Sequence, residues 1–186
     1  MELEKRICYS GGAQGADVYF EEAALQYQCD VVHYSYKTSY HNRPFKHELS
    51  ADEFREGLEQ LPQVSHQLKR FHYKPYVNLL ARNYFQIKKS QQVFAVGVLE
   101  KDESGSLCRV KGGTGWTIQM AINAQRKIYV FDQKLGEWFC WNHQLRKFTK
   151  CELPQITAIH FTGIGTRNIN LFGIQAITAL FENSFK

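Results

Sequence analysis

Three glycine-rich segments, each set between an apolar run and a helical pattern, constrain this chain more than anything else in it. Ser10-Gly11-Gly12-Ala13-Gln14-Gly15-Ala16-Asp17 follows Arg6-Ile7-Cys8-Tyr9. Lys111-Gly112-Gly113-Thr114-Gly115-Trp116-Thr117-Ile118-Gln119 follows the apolar run 93–99 across a polar stretch. Thr162-Gly163-Ile164-Gly165-Thr166-Arg167 follows Ala158-Ile159-His160-Phe161. A strand, a glycine turn and a helix start are the parts of an anion site. Glycine permits backbone angles and approaches that side chains forbid, and the unpaired N–H groups of a first helical turn point at whatever binds there. Strands alternating with helices imply an α/β fold, with a mostly parallel sheet and helices on both faces. Ligands of such sheets sit at the strand carboxyl ends, so the three turns are expected to converge on one crevice.

The remaining elements follow from periodicity. Apolar runs predict strands over 30–34, 92–99, 127–132 and 157–161. Val18, Phe20, Ala23, Ala24 and Tyr27 fall at helical spacing, as do Val77, Leu80, Ala81, Tyr84, Phe85 and Ile87. Ser50-Ala51-Asp52-Glu53 is a capping box that starts another helix, with Pro62 expected to end it. Residues 63–74 leave helix and irregular chain open. The central glycine segment predicts a helix from Trp116 to Ala124, and the polar stretch 100–111 an exposed loop. Two aromatic-rich runs around a turn predict a small β-hairpin insertion near 134–152. Leu171, Ile174, Ile177, Leu180 and Phe181 predict an amphipathic closing helix.

Composition removes several classes of function. At 186 residues the chain fits a single domain, 1–186, with a sizeable core. No apolar run nears the ~20 residues that span a bilayer, and Met-Glu-Leu-Glu-Lys-Arg is not a signal peptide. Five scattered cysteines without a C-x-x-C pair predict reduced thiols, hence a cytoplasmic protein. No His/Cys spacing suits a metal, so none is expected. G-x-S-x-G, Walker A and G-x-G-x-x-G are all absent, which argues against serine hydrolases, P-loop NTPases and standard dinucleotide dehydrogenases. A net charge of +5 suits a small anionic ligand or weak nucleic-acid affinity, and also a protein that binds neither.

Each candidate residue has a ligand role and a plainer one. Ser10, Gly11, Gly12, Ala13 and Gly15 cradle a phosphate or ribose, or simply turn the chain. Asp17 accepts from ribose hydroxyls or complements a helix dipole. Gly112, Gly113 and Gly115 are the strongest phosphate candidates, with Lys111 as counter-charge and Thr114 and Thr117 as hydroxyl donors. Trp116 stacks a base or packs in the core. Gly163, Gly165, Thr166 and Arg167 form the third turn, where the arginine forks onto phosphate or makes a surface ion pair. Asp132 takes a ribose hydroxyl or closes a turn. Tyr34, Tyr36 and Tyr40 line the crevice or cover a loop.

These motifs resemble a family. Ser10–Asp17 is similar to the S-G-G-x-x-G-A-D opening of the molybdenum-carrier group. Lys111–Gln119 is similar to the P-G-G-x-G-T-x-x-E loop of the lonely-guy (LOG) phosphoribohydrolases. Both belong to the SLOG superfamily of Rossmann-like nucleotide-binding proteins, and 162–168 resembles the ending of small phage and bacterial members. The resemblance covers about residues 6–132. It implies a Rossmann-like fold, a nucleotide or NAD-derived ligand, no required cofactor, and a homo-oligomer whose partner helps complete the pocket. Phosphoribohydrolases cleave with an arginine and the loop glutamate. Arg82 stands at the comparable place, whereas Gln119 replaces the glutamate, Trp116 the threonine and Lys111 the proline. Losing a positioned acid removes ~10²–10⁴ in rate, so the resemblance implies binding without efficient catalysis, as in a sensor or a sequestering protein of phage–bacterium conflict. Asp17 or Glu21 is the substitute acid if catalysis persists. The alternatives are a nucleotide N-glycosidase, a DprA-like single-stranded nucleic-acid binder and a molybdenum-cofactor carrier.

Overall fold

The computed structural model describes residues 5–38 and 44–186. In chain order the elements are β1 (Ile7–Ser10), α1 (Ala16–Gln26), β2 (Asp30–Ser35), β3 (Lys46–Glu48), α2 (Ala51–Leu68), a 3-10 turn (Lys74–Tyr76), α3 (Val77–Lys88), β4 (Gln92–Gly97), β5 (Leu99–Lys101), β6 (Leu107–Val110), α4 (Gly112–Asn123), β7 (Lys127–Asp132), β8 (Glu137–Asn142), β9 (Lys147–Lys150), β10 (His160–Gly165) and α5 (Leu171–Ser184). Eight strands form one sheet in the order β3-β2-β1-β10-β4-β7-β8-β9. The pairings from β3 across to β7 are all parallel. β8 and β9 add an antiparallel hairpin at one edge, so the expected insertion extends the main sheet. This is a Rossmann-like α/β fold.

Burial explains the layering. Every residue of β4 is buried, as expected for a strand covered on both faces. On one face α1 and α5 close over Phe20, Phe94, Phe161, Leu180 and Phe181. On the other, α2, α3 and α4 close over Leu61, Leu80, Val93, Ile118 and Val130. β1 therefore feeds α1 on one face while β4 leads to α4 on the opposite face, with β10 between them. That reversal is the switch point at which open α/β sheets bind ligands.

Four expectations shift. α2 keeps its capping box, with Ser50 Oγ accepting from Glu53 N at 3.2 Å and Glu53 Oε2 accepting from Ser50 N at 2.8 Å. It does not end at Pro62, however, because the proline loses one helical bond while Leu61, Val64 and Leu68 on either side are buried against α3 and α4. The polar stretch 100–111 is largely the hairpin β5–β6. α4 begins at Gly112 rather than Trp116, so the central glycines are its first turn. The last strand is 160–165 rather than 157–161. Gly163 and Gly165 lie inside it, because Phe20 and Ala16 of α1 pack where their side chains would be.

Candidate functional site

A cleft of about 490 Å³ opens at the carboxyl ends of β1, β10 and β4, and all three glycine-rich segments border it. Ala13, Gln14 and Asp17 come from the first, Lys111, Gly112, Gly113, Thr114 and Thr117 from the second, and Gly165, Thr166 and Arg167 from the third. The wall facing them is α3, whose Leu79, Arg82, Asn83 and Gln86 recur at helical spacing. Among the described residues, three cations, Lys111, Arg82 and Arg167, border the cleft against one carboxylate, Asp17.

That carboxylate already occupies the first anion cradle. Asp17 Oδ2 accepts from Gly11 N at 3.1 Å and Oδ1 from Gly165 N at 2.9 Å, so the first and third turns are clasped together. Arg82 Nη1 lies 4.0 Å from Oδ2, and both side chains are buried. Burial raises the Asp17 carboxyl above its ordinary range, against the opposing pull of Arg82 and of the N–H groups of Gly165, Gly11 and Ala13. Burial also lowers the Arg82 guanidinium, with Asp17 opposing. Gln86 completes the clasp. With its carboxamide oxygen turned inward, it accepts from Arg82 Nη1 at 2.8 Å and Gly11 N at 2.6 Å.

Packing accounts for the first-segment glycines. Arg82 fills the space a side chain on Gly11 would need, and the His33 ring fills that of Gly12. Gly15 has φ +102° and sits directly under the backbone of Thr166 and Arg167, which only glycine allows. Ala16 N donates to Thr166 O at 3.0 Å across that contact. Ser10 is buried, its Oγ donating to Asp17 O at 3.4 Å. None of Ser10, Gly11, Gly12 or Gly15 borders the cleft. Sequence spacing places them near the site; the structure makes them its scaffold.

The second segment is open. Lys111 is the N-cap of α4 and no side chain caps that helix, so its first N–H groups keep their capacity to donate. Gly112 adopts φ +69°, which reserves the position for glycine. At Gly113 a side chain would meet nothing within 4 Å and φ is ordinary, so nothing inside the protein requires glycine there. Arg70, which the sequence does not single out, fixes this turn. It donates to Gly112 O at 2.9 Å and Val110 O at 3.2 Å, and pairs with Glu100 at 3.0 Å. Gly115 lies under Val110 O and Arg70 and faces away from the cleft.

Several candidates lie elsewhere. Trp116 is buried against Tyr73, with ring centroids 5.1 Å apart. Gln119 falls on another side of α4 from Gly113 and Thr117 and donates to Asn123 at 3.1 Å. Asp132 closes the β7–β8 turn, accepting from Lys134 N and Leu135 N, and it accepts from Leu99 N at 2.7 Å. Tyr34 packs with Tyr9 and Phe85 under the sheet edge. Gly163 is interior to β10. Tyr36 does not border the cleft, and Tyr40 lies outside the described residues. Among the described residues no aromatic side chain lines the cleft. No cluster of three His, Cys, Asp or Glu suited to a metal occurs among them, and no helix is long and apolar enough to cross a membrane.

Asn83 and Gln86 have a weak sequence signal, being polar residues on the otherwise apolar face that also carries Arg82. Fold and cleft together define a class: a Rossmann-like α/β protein with a cationic pocket at its switch point. No family model, curated protein or solved structure matches the chain.

Proposed function

We propose that the chain binds a phosphate-bearing, nucleotide-type small molecule in this cleft, without efficient catalysis. The observation that carries the reading is the uncapped start of α4, with glycines at Gly112 and Gly113, set in a cleft bordered by Lys111, Arg82 and Arg167. An anion there gains the helix-start amides and fixed positive charge at once. The likeness of Lys111–Gln119 to the phosphate loop of SLOG proteins supports it, and so does the position at the sheet's switch point. The absence of efficient catalysis rests on the lining. Its only carboxylate among the described residues, Asp17, is committed to Gly11, Gly165 and Arg82, and Gln119 does not border the cleft. By analogy with SLOG members such a protein serves as a sensor or a sequestering protein.

Titration calorimetry with AMP, ADP-ribose and inorganic phosphate tests the reading. Lys111→Ala and Arg167→Ala should each weaken binding about tenfold, as expected for losing a charge-assisted contact of roughly 1.5 kcal/mol. No binding at millimolar concentration, or affinity indifferent to both substitutions, would refute it. A nucleotide N-glycosidase keeps one observation in its favour: the Arg82–Asp17 pair stands in the cleft wall. Free base released from AMP, and lost in Asp17→Asn, would move the assignment there.

A further inference from the structure

Below the α4 start the cleft holds a second, uncommitted set of polar groups. Asn83 on α3 is 5 % exposed and Thr117 on α4 is 2 % exposed. Both border the cleft, and neither side chain has a hydrogen-bond partner among the described residues. Next to Asn83, the buried Nε of Arg82 is unpartnered as well. Side-chain polar groups this deep in a fold are normally paired within it, and those of Asn83 and Thr117 are instead left open to the cleft. The Asn83 and Thr117 groups border the cleft, so a ligand can meet them. A carboxamide offers both donor and acceptor, and a threonine hydroxyl does the same. Thr117 follows Gly113 by four residues, which puts it just over one helical turn, about 6 Å, further along from the α4 start.

We infer that Asn83 and Thr117 form a sugar subsite that reads the vicinal hydroxyls of a ribose phosphate. This rests on the phosphate reading above and deepens it by naming the group next to the phosphate. A ribose ring carries its diol only a few bonds from its 5-phosphate. With the phosphate on the α4 amides, those hydroxyls reach the next turn inward, where Asn83 and Thr117 wait. A nucleobase suits this depth less well. Bases are held by aromatic faces, and no aromatic lines the cleft among the described residues. The ligand class is thus ribose phosphates, bound sugar-inward, in preference to their deoxy counterparts.

The test is calorimetry on the full chain with inorganic phosphate, ribose 5-phosphate and 2-deoxyribose 5-phosphate. The wild type should prefer ribose 5-phosphate to the deoxy sugar by about tenfold or more, because a site built to hydrogen-bond a hydroxyl rejects a ligand lacking it. Asn83→Leu should erase that preference while leaving inorganic phosphate affinity unchanged. Thr117→Val, nearly isosteric, gives the same readout should the first variant fail to fold. Equal affinity for the two sugars in the wild type overturns the inference. So does a substitution that weakens inorganic phosphate as much as ribose 5-phosphate. If inorganic phosphate binds in a Lys111-dependent way and the sugars are not distinguished, the subsite alone is wrong. If nothing phosphorylated binds, the functional reading falls and takes the subsite with it.

Discussion

The first and second glycine-rich segments look alike as sequence and do opposite work. In Gly11–Gly15 the leading amides and the space above the first glycines are taken by the protein itself: Asp17 accepts from Gly11 N, Ser10 Oγ accepts from Gly12 N, and Arg82 and His33 take the volume. In Gly112–Gly113 the helix start is uncapped and the space above it is empty. A glycine that is crowded from inside reports on packing, whereas one with open space and no need for a positive φ reports on something from outside. The anion cradle suggested by the first motif is real, but its anion is Asp17.

This contrast can be broken at its strongest point with Asp17→Ala. Removing the carboxylate strands Gly11 N, Gly165 N and the Arg82 charge in a buried setting, so urea unfolding should show a loss of about 3–5 kcal/mol. Asp17→Asn, which mimics the protonated acid, should cost less and alter the pH profile. Because the folded carboxyl is raised by burial, the folded chain holds this proton more tightly than the unfolded one. Its contribution is complete below the ordinary aspartate value and is lost as pH rises through the folded one. Relative to Asp17→Asn, wild-type stability should therefore decline on going from pH 4 upward, and parallel profiles would contradict the assignment.

A smaller effect is expected from Gly11→Ala. The added methyl meets Arg82, so overpacking should cost about 1–3 kcal/mol in the same assay. The mildest change, Gly113→Ala, sharpens the comparison. Its methyl meets nothing in the protein, so stability should stay level or rise by up to about 1 kcal/mol. Phosphate affinity should nonetheless fall, since the approach to the helix-start amides is obstructed. A Gly113→Ala protein that binds phosphate as well as wild type would make the two segments equivalent after all.

Much of the architecture was legible because strands buried on both faces must be apolar, as the run 93–97 shows. β3 escaped notice because Lys46-His47-Glu48 is a short polar edge strand. β10 was misplaced because Gly163 and Gly165 read as a turn, and their cause, Phe20 and Ala16 of α1, is remote in sequence. The convergence of the three segments followed from element order. Which faces their side chains take did not: Trp116 and Gln119 left the cleft once α4 began four residues earlier than its apolar pattern suggests. Tyr34 was drawn off by Tyr9 and Phe85, a contact that no local pattern reveals.

The insertion of β10 between β1 and β4 bears on how such a molecule is made. The two strands it separates are finished long before it leaves the ribosome, yet until it arrives they have no neighbour to zip onto along their shared edges. Native contacts that close such sequence distances are slow to form, and open strand edges invite wrong partners in the meantime. Synthesis past residue 165 therefore completes the sheet across its middle; until then β1 and β4 share no strand neighbour, and α3, which packs on β1, β2 and α4, ties their two sides together.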